Sequence, residues 1–440
     1  MFYISKDTEL TTQLLQKFMD KFTTYVQPKL KKWKDEYDGK HIILEKSYTD
    51  KTKVCNRIVT NYAKVIADTY SGYIVGKPVT YTSNDDITDV QEVINYNDDN
   101  AENIAFCSNA LIYGVGYELQ WLDKFSKTRY SQVSPLNAFA IYDNTLDNNL
   151  LYFVRWYDVD SFDDNDEKII EVYTANSIRK YKTHGIGGSM TFIEEQVHYF
   201  GDVPVSVFWL NEDTEENIFN CIISLNDAYN ELQSSEVDDF SAFCDAYLAL
   251  TGMDADDDDV KDMKENRVLI LPQGGTANWL VKNASDTQIV NMLDNIRKNI
   301  FNVSSCPNMA DENFLAQSGT ALAYKLVGFE NVASGIVARF TKAIQRRIEL
   351  ICNVLNLKAS DAIWRDIQIN FVRNLPVNTT ETIQLVNALK GVVSDETLLS
   401  QLPFIDDVQA EIERVQKQKK ANMEMYSFGT DHLHSDEDEE

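Results

Sequence analysis

Residues 286–356 read DTQIVNMLDNIRKNIFNVSS, then CPNMADENFLAQSG, then TALAYKLVGFENVASGIVARFTKAIQRRIELICNVLN. In the first block Ile289, Met292, Leu293, Ile296, Ile300 and Val303 recur at three- and four-residue spacing, the period of one face of a helix. Pro307 stops that run. The segment from Asn308 through Asp311, Glu312, Asn313, Phe314, Gln317 and Ser318 to Gly319 is polar and has no helical period. A second, longer helix is predicted from 320 to 356, with Ser318 or Thr320 placed to cap it. The stretch therefore predicts two helices joined by a dozen polar residues that include Asp, Glu, Asn and Gln but no His or Cys.

Upstream, residues 214–245 form another predicted helix with Ile218, Ile222, Leu225, Tyr229 and Leu232 on one face. Glu231, Glu236, Asp238 and Asp239 belong to the acidic remainder, and 215–245 would span about 45 Å. A strand from Tyr247 to Leu250, an acidic run 254–259, a strand Arg267–Pro272 containing Leu269, and Trp279-Leu280-Val281 lead back to residue 286. A small α/β module is thus strung between two helices. Nearer the N-terminus, 7–38 reads as an amphipathic helix (Leu14, Leu15, Phe18, Phe22, Val26) that Pro28 is placed to kink. Residues 56–79 read as a helix marked by Ile58, Tyr62, Val65, Ile66 and Tyr70, broken at Gly72 and Gly76, then a strand start at Pro78. Residues 88–114 are helical again. Strands are predicted at 117–122, 138–142, 150–158, 168–174, 177–182, 190–194 and 205–210. After 356 come a strand at 367–371 and helices at 379–390, 394–401 and 405–424. The fold class is mixed α+β.

A formal charge of −28 over 440 residues is a poor match for wrapping DNA, because that needs Lys and Arg to displace counterions from phosphate. It suits a surface kept soluble, or a channel that must not hold a polyanion. Six scattered cysteines without a CxxC pair point to reduced thiols, and there is neither a signal peptide nor a run of the roughly 20 apolar residues that spans a bilayer. The chain has no GxxxxGK[ST], HExxH, GxSxG or Cys–His cluster at metal spacing. Gly185-Ile186-Gly187-Gly188 sits between two predicted strands and reads as a hairpin turn, not a phosphate cradle. Asp254, Asp256, Asp258, Asp262 and Glu265 fall at positions one, three, five, nine and twelve of a calcium loop, but Asp259 stands where that loop needs glycine and Lys261 where it is usually apolar. The run therefore reads as a solvated acidic turn, with these five as weak calcium candidates. Arg339, Lys342, Arg346 and Arg347 make the second long helix basic late on, either toward DNA phosphates or toward acids of the same assembly.

Two segments carry a family resemblance. One is Pro307-Asn308-Met309, Asp311-Glu312-Asn313-Phe314, Ser318-Gly319-Thr320-Ala321-Leu322 and Lys325-Leu326. The other is Asn56, Ile58, Val59, Asn61, Tyr62, Ala63, Ile66, Asp68, Gly72, Tyr73, Gly76, Lys77, Pro78 and Val79. The chain resembles the portal proteins of long-tailed double-stranded DNA phages, except that Leu315-Ala316-Gln317-Ser318-Gly319 replaces the family's frequent Gly-Asn-Ser-Ser-Gly. The resemblance implies a subunit with a wing at 1–210, stem helices at 211–245 and 286–306, a clip at 246–285 (Tyr247, Arg267, Leu269, Trp279), and a tunnel loop at 307–319. A long wing helix with a closing strand would follow at 320–375, a helical crown at 376–430 and a disordered acidic tail at 431–440. It further implies a roughly dodecameric ring at one capsid vertex, assembled in the host cytoplasm, that conducts DNA. Its partners would be copies of itself, the terminase large subunit, major capsid and scaffolding proteins, head-tail adaptor proteins and the passing DNA, with no cofactor, catalysis or membrane. The alternatives are a metal-dependent nuclease built on the Asp254–Glu265 cluster, and a non-portal head scaffold or adaptor.

Overall fold

The computed structural model describes residues 1–50, 53–160, 167–185, 187–212, 214–243, 247–251, 276–280, 286–309, 319–355, 363–374, 384, 386–400, 402, 405 and 408–427. They fall into two compact units, Met1–Gln317 with Ala321–Asn374, and Ser318–Thr320 with Leu375–Glu440.

The first unit opens with strand β1 (Phe2–Ile4) and helix α1 (Thr12–Lys21), whose cap Thr11 accepts the N–H of Leu14 on its hydroxyl. The predicted single helix over 7–38 is interrupted by a π-helical turn, Phe22–Val26, before α2 (Gln27–Tyr37). Pro28 is the physical cause: it has no N–H for the preceding turn and its ring crowds the carbonyl four residues back, so the turn widens there. After Gly39 (φ 82°) and a 3₁₀ turn at Ile42–Glu45, α3 occupies Tyr62–Val75. The helix expected from residue 56 therefore starts later, and it passes through Gly72 to end at Gly76. A β-carbon on Gly76 would lie 2.1 Å from the Gly72 carbonyl oxygen, so only glycine fits this exit. Strand β2 (Thr80–Thr82) follows.

The predicted helix over 88–114 is two helices, α4 (Thr88–Tyr96) and α5 (Asp99–Tyr113), separated by Asn97 and by Asp98 at φ 51°. Asn97 is buried; its amide donates to the carbonyls of Val93 and Thr128, and its oxygen accepts the N–H of Tyr130. The break thus anchors a strand absent from the sequence reading. Strands β3 (Val115–Leu122), β4 (Thr128–Val133), β5 (Ala138–Asp143), β6 (Leu150–Asp158), β7 (Glu167–Tyr173), β8 (Ser177–His184), β9 (Thr191–Val197) and β10 (Val205–Trp209) form two sheets. One has the order β1-β5-β6-β7-β8-β9, with β1 parallel to β5 and the rest antiparallel; the other is antiparallel, β10-β3-β4. Strands β8 and β9 pair across the glycine-rich turn, as a hairpin requires. Alternate residues Val115, Tyr117 and Leu119 of β3 and Ala138, Ala140 and Tyr142 of β5 join Phe153, Tyr173, Val203 and Val205 in one buried cluster.

Helix α6 (Ile223–Phe243) is 21 residues, about 31 Å, shorter than the predicted 214–245. Strand β11 (Tyr247–Thr251) pairs antiparallel with β12 (Thr276–Leu280), and α7 (Asp286–Val303) returns to pack along α6. Helix α8 (Gly319–Val354) is 36 residues long, about 54 Å. It buries Phe329, Ala333, Ile336, Phe340, Ile344, Ile348 and Ile351, the Phe340 ring stacking on Phe208 at 4.8 Å. A short helix α9 (Ile363–Asp366) and strand β13 (Gln368–Asn370), antiparallel to β2, end the unit. In the second unit Ser394 caps α10 (Asp395–Ser400) by accepting the N–H of Thr397, and α10 packs with α11 (Val408–Ser427).

One buried cation ties these layers together. Arg347 of α8 is fully buried, its guanidinium held by both carboxylate oxygens of Glu118 on β3 (2.7 and 2.5 Å) and by Asp99 and Asn103 on α5 (2.7 Å each), 4.5 Å from the Tyr130 ring centre on β4. Tyr81 of β2 and Tyr130 both donate to Asp99. Burial opposes the charge, but Glu118 and Asp99 outweigh it and raise the Arg347 pKa well above the ordinary guanidinium value. Replacing Arg347 with Met strands the buried Glu118 carboxylate and the half-buried Asp99, and is expected to cost about 3–5 kcal/mol in urea unfolding. Arg347→Lys should recover little of it, since a lysine cannot reproduce the forked geometry; full recovery by lysine would contradict the bidentate role.

Candidate functional site

The acidic helix α6 carries five acids and no lysine or arginine, yet one whole face of it is buried against the chain. That face is polar. Asn226, Asn230, Ser234 and Asp238, spaced four apart, lie beneath the extended segment 56–62 and accept its alternate backbone N–H groups. Tyr62 donates to Asn226 Oδ1 (3.1 Å), Thr60 to Asn230 Oδ1 (2.8 Å), Ile58 to Ser234 Oγ (3.0 Å) and Asn56 to Asp238 Oδ1 (2.5 Å). The match is geometric: two residues of extended chain advance about 6.6 Å and four residues of helix about 6.0 Å, so the two ladders stay in step over three repeats. The segment thereby satisfies its N–H groups without a partner strand. At the foot of the ladder the Tyr62 ring packs edge-on against Tyr229 of α6 and Phe301 of α7 (5.3 and 5.7 Å), joining the two helices.

Asp238 is the most heavily bonded rung. It accepts the Asn56 N–H and side-chain amide and the Tyr48 hydroxyl, and Lys46 Nζ lies 3.3 Å away. Burial would raise its carboxyl, but these donors prevail and hold it below the usual carboxylate range. Of the four acids predicted to form a charged wall, Asp238 is therefore turned inward. Glu231 is exposed and 3.3 Å from Lys46, Asp239 is exposed, and Glu236 is half-buried. The apolar stripe expected on this helix is only partly realised: Ile222 is buried, while Ile218, Leu225, Tyr229 and Leu232 are half-buried.

Of the predicted loop, Asn308 is described and half-buried; Asp311, Glu312, Asn313, Phe314, Gln317 and Ser318 lie outside the described residues. In the predicted clip, Tyr247 stands opposite Leu280 and Trp279 opposite Leu248, with Arg267 and Leu269 outside. The candidate calcium ligands Asp254, Asp256, Asp258, Asp262 and Glu265 lie outside as well. The basic end of α8 resolves toward partners within the chain. Arg347 is buried, Arg346 pairs with Asp202 and Glu349, Arg339 is exposed but donates to the Leu210 carbonyl, and Lys342, 3.6 Å from Glu212, is the most exposed of the four. Charge alone does not reveal the ladder; its signal in the sequence is the four-residue recurrence of short hydrogen-bonding side chains at 226, 230, 234 and 238.

Across residues 20–425 the chain matches the family described as "Phage portal protein, SPP1 Gp6-like". The portal protein of Bacillus phage SPP1 is 21% identical over 412 residues, covering 88% of this chain and 81% of that protein. The portal protein of Clostridium phage phiCD119 is 22% identical over 393 residues, covering 83% and 85%. Among solved structures, a chain of the "Neck of empty GTA particle computed with C6 symmetry" aligns with a TM-score of 0.41 at 11% identity, over 78% of this chain and 88% of that one. The family matches define a structural component of the phage virion, not an enzyme. The chain belongs to the SPP1 Gp6-like phage portal proteins, which removes the nuclease and non-portal adaptor alternatives. Among the described residues no helix is long and apolar enough to cross a membrane.

Truncating a rung leaves a backbone N–H without its acceptor, so Asn230→Ala and Ser234→Ala should each cost about 1–3 kcal/mol in chemical unfolding. Asp238 adds a pH term. Because its folded pKa is depressed, its contribution is present above the unfolded value of about 3.9 and is lost as pH falls through the folded one. Acid titration of stability should show a component below about pH 4–5 in the natural chain that is missing in Asp238→Asn.

Proposed function

We propose that copies of this chain close into a ring, roughly dodecameric, at one vertex of the capsid, forming the channel by which double-stranded DNA enters and leaves. The observation that carries this reading is the extent of the family match, residues 20–425, which takes in both helices of the α6–α7 pair and the segments on either side of them. In the ring, α6 and α7 serve as the stem, the β11–β12 pair belongs to the clip, and residues 307–319 form the loop that follows the DNA surface. The clip receives the terminase large subunit during packaging and head-tail adaptor proteins afterwards, while the wing meets major capsid and scaffolding proteins. ATP hydrolysis falls to the terminase, in keeping with a chain that has no phosphate-binding loop motif. Glu231, Glu236 and Asp239 supply negative charge along the bore. Like charge repels DNA phosphate within a Debye length of about 8 Å, so the polymer slides without adhering.

Negative-stain imaging of the purified full chain should show annuli; lone monomers under every condition, including alongside capsid partners, would sink the proposal. Deleting 311–317 should leave rings intact and heads empty, and normally filled heads would remove the loop from the mechanism. Replacing Glu231, Glu236 and Asp239 together with lysine should preserve rings yet slow packaging in a salt-dependent way. Unchanged packaging kinetics would count against the electrostatic part.

A further inference from the structure

We propose that Glu36, His41 and Asp227 form a site for one divalent transition-metal ion, with zinc the best-matched occupant, clasping α2 to α6 beside the foot of the polar ladder. One ligating atom from each residue lies within 4.8 Å of the other two. Glu36 lies in the last turn of α2, the reversal at Gly39 brings His41 back beside it, and Asp227 reaches in from the first turns of α6. His41 is 1% exposed and Glu36 5%, so water solvates neither side chain well.

Without a cation the hydrogen bonding around His41 leaves buried polar atoms unpaired. Asn226 Oδ1 accepts the Tyr62 N–H, which makes its Nδ2 the donor end, and that nitrogen lies 3.2 Å from His41 Nδ1. Nδ1 must then carry a lone pair. The Glu36 Oε2 lies 2.7 Å from the same Nδ1, and it too is an acceptor. A proton on Nδ1 satisfies Glu36 but opposes Asn226; no proton satisfies Asn226 but sets two acceptors against each other. Meanwhile His41 Nε2 and Asp227 Oδ1 are buried with no hydrogen-bond partner among the described residues. A divalent ion supplies the missing positive charge and uses the idle lone pairs.

One imidazole and two carboxylates suit zinc, or manganese, better than calcium, whose ligands are all oxygens. Zinc bonds of about 2.0–2.2 Å need only side-chain adjustment from the observed spread, and three protein ligands leave a fourth position for water. Residue 227 lies too far along the chain from Glu36 and His41 for any local motif to register, so spacing patterns miss the trio. The site sits within one chain and does not depend on ring formation.

The test is zinc titration of the full-length, tag-free, chelator-treated protein against a chromophoric chelator, with cobalt substitution to read the ligand field. The natural chain should bind one equivalent that Asp227→Asn does not, with affinity at that site falling at least about tenfold. Any zinc taken by His432 and His434 is common to both proteins. Zinc should also raise the thermal midpoint of the natural chain and leave that of Asp227→Asn unmoved. His41→Gln serves as a second variant, and cobalt bands in the natural chain should vanish in it. If the natural chain binds no equivalent that either substitution removes while both variants remain folded by circular dichroism, the trio is not a metal site. A natural chain whose thermal midpoint is indifferent to zinc would overturn the clasp.

Discussion

A guanidinium out of reach of water is the constraint around which the larger unit is arranged. Arg347 can stay buried only if acceptors converge on it from several directions, and they come from α5 and β3 with the Tyr130 face beneath. Each acceptor is positioned by something else: Asp99 by Tyr81, Tyr130 and Asn103, and the adjoining β4 by Asn97. Even the carbonyl of Arg347 is taken, by Gln120 of β3. An apolar contact could slide along a helix 36 residues long; a forked ion pair fixes both its rotation and its height.

The α6 ladder solves a different problem with similar chemistry. An extended segment laid on a helix has backbone N–H groups that no neighbouring strand receives, and an apolar helix face would leave them bare. Side-chain oxygens at four-residue intervals meet every second N–H instead. The same device fixes register, because a shift by one residue along the segment would present carbonyls where donors are needed.

Much of this was legible beforehand, and the misses have physical causes. Long amphipathic stretches such as 319–354 and 286–303 announced themselves through period, and so did most strands between 115 and 209. Strand β4 escaped because Thr128-Arg129-Tyr130-Ser131-Gln132-Val133 is largely polar, being held by Asn97 and by its edge position. The predicted start of α6 lies too early because Ile218 and Ile222 keep helical spacing with Leu225, whereas Asn217, Phe219 and Ile222 are buried in the turns that precede the helix, Asn217 donating to the Ile112 carbonyl of α5. Composition marked Glu231, Glu236, Asp238 and Asp239 as one acidic surface, but no single-residue property separates Asp238 from the others. Its fate is decided by Lys46, Tyr48 and Asn56, about 180 positions away.

That separation bears on how a strongly acidic chain folds at all. With a formal charge of −28, repulsion favours expansion, and the available cations must be placed where each does most. Several are turned inward: Arg347 and Arg346 between α8 and the sheets, Lys46 on Asp238, and the half-buried Arg155 on Glu171 and Arg373 on Glu330. Pairing several inward-facing acids in this way leaves much of the surplus negative charge on the surface, where salt screens it over a Debye length of about 8 Å. A helix such as α6 can therefore be anchored through polar groups on one side and remain acidic on the other. An apolar anchor would have required larger side chains at 226, 230, 234 and 238 and would have pushed the 56–62 segment off its N–H acceptors. The charge of the outer face and the polarity of the inner one are consequences of a single choice of short, hydrogen-bonding residues along that helix.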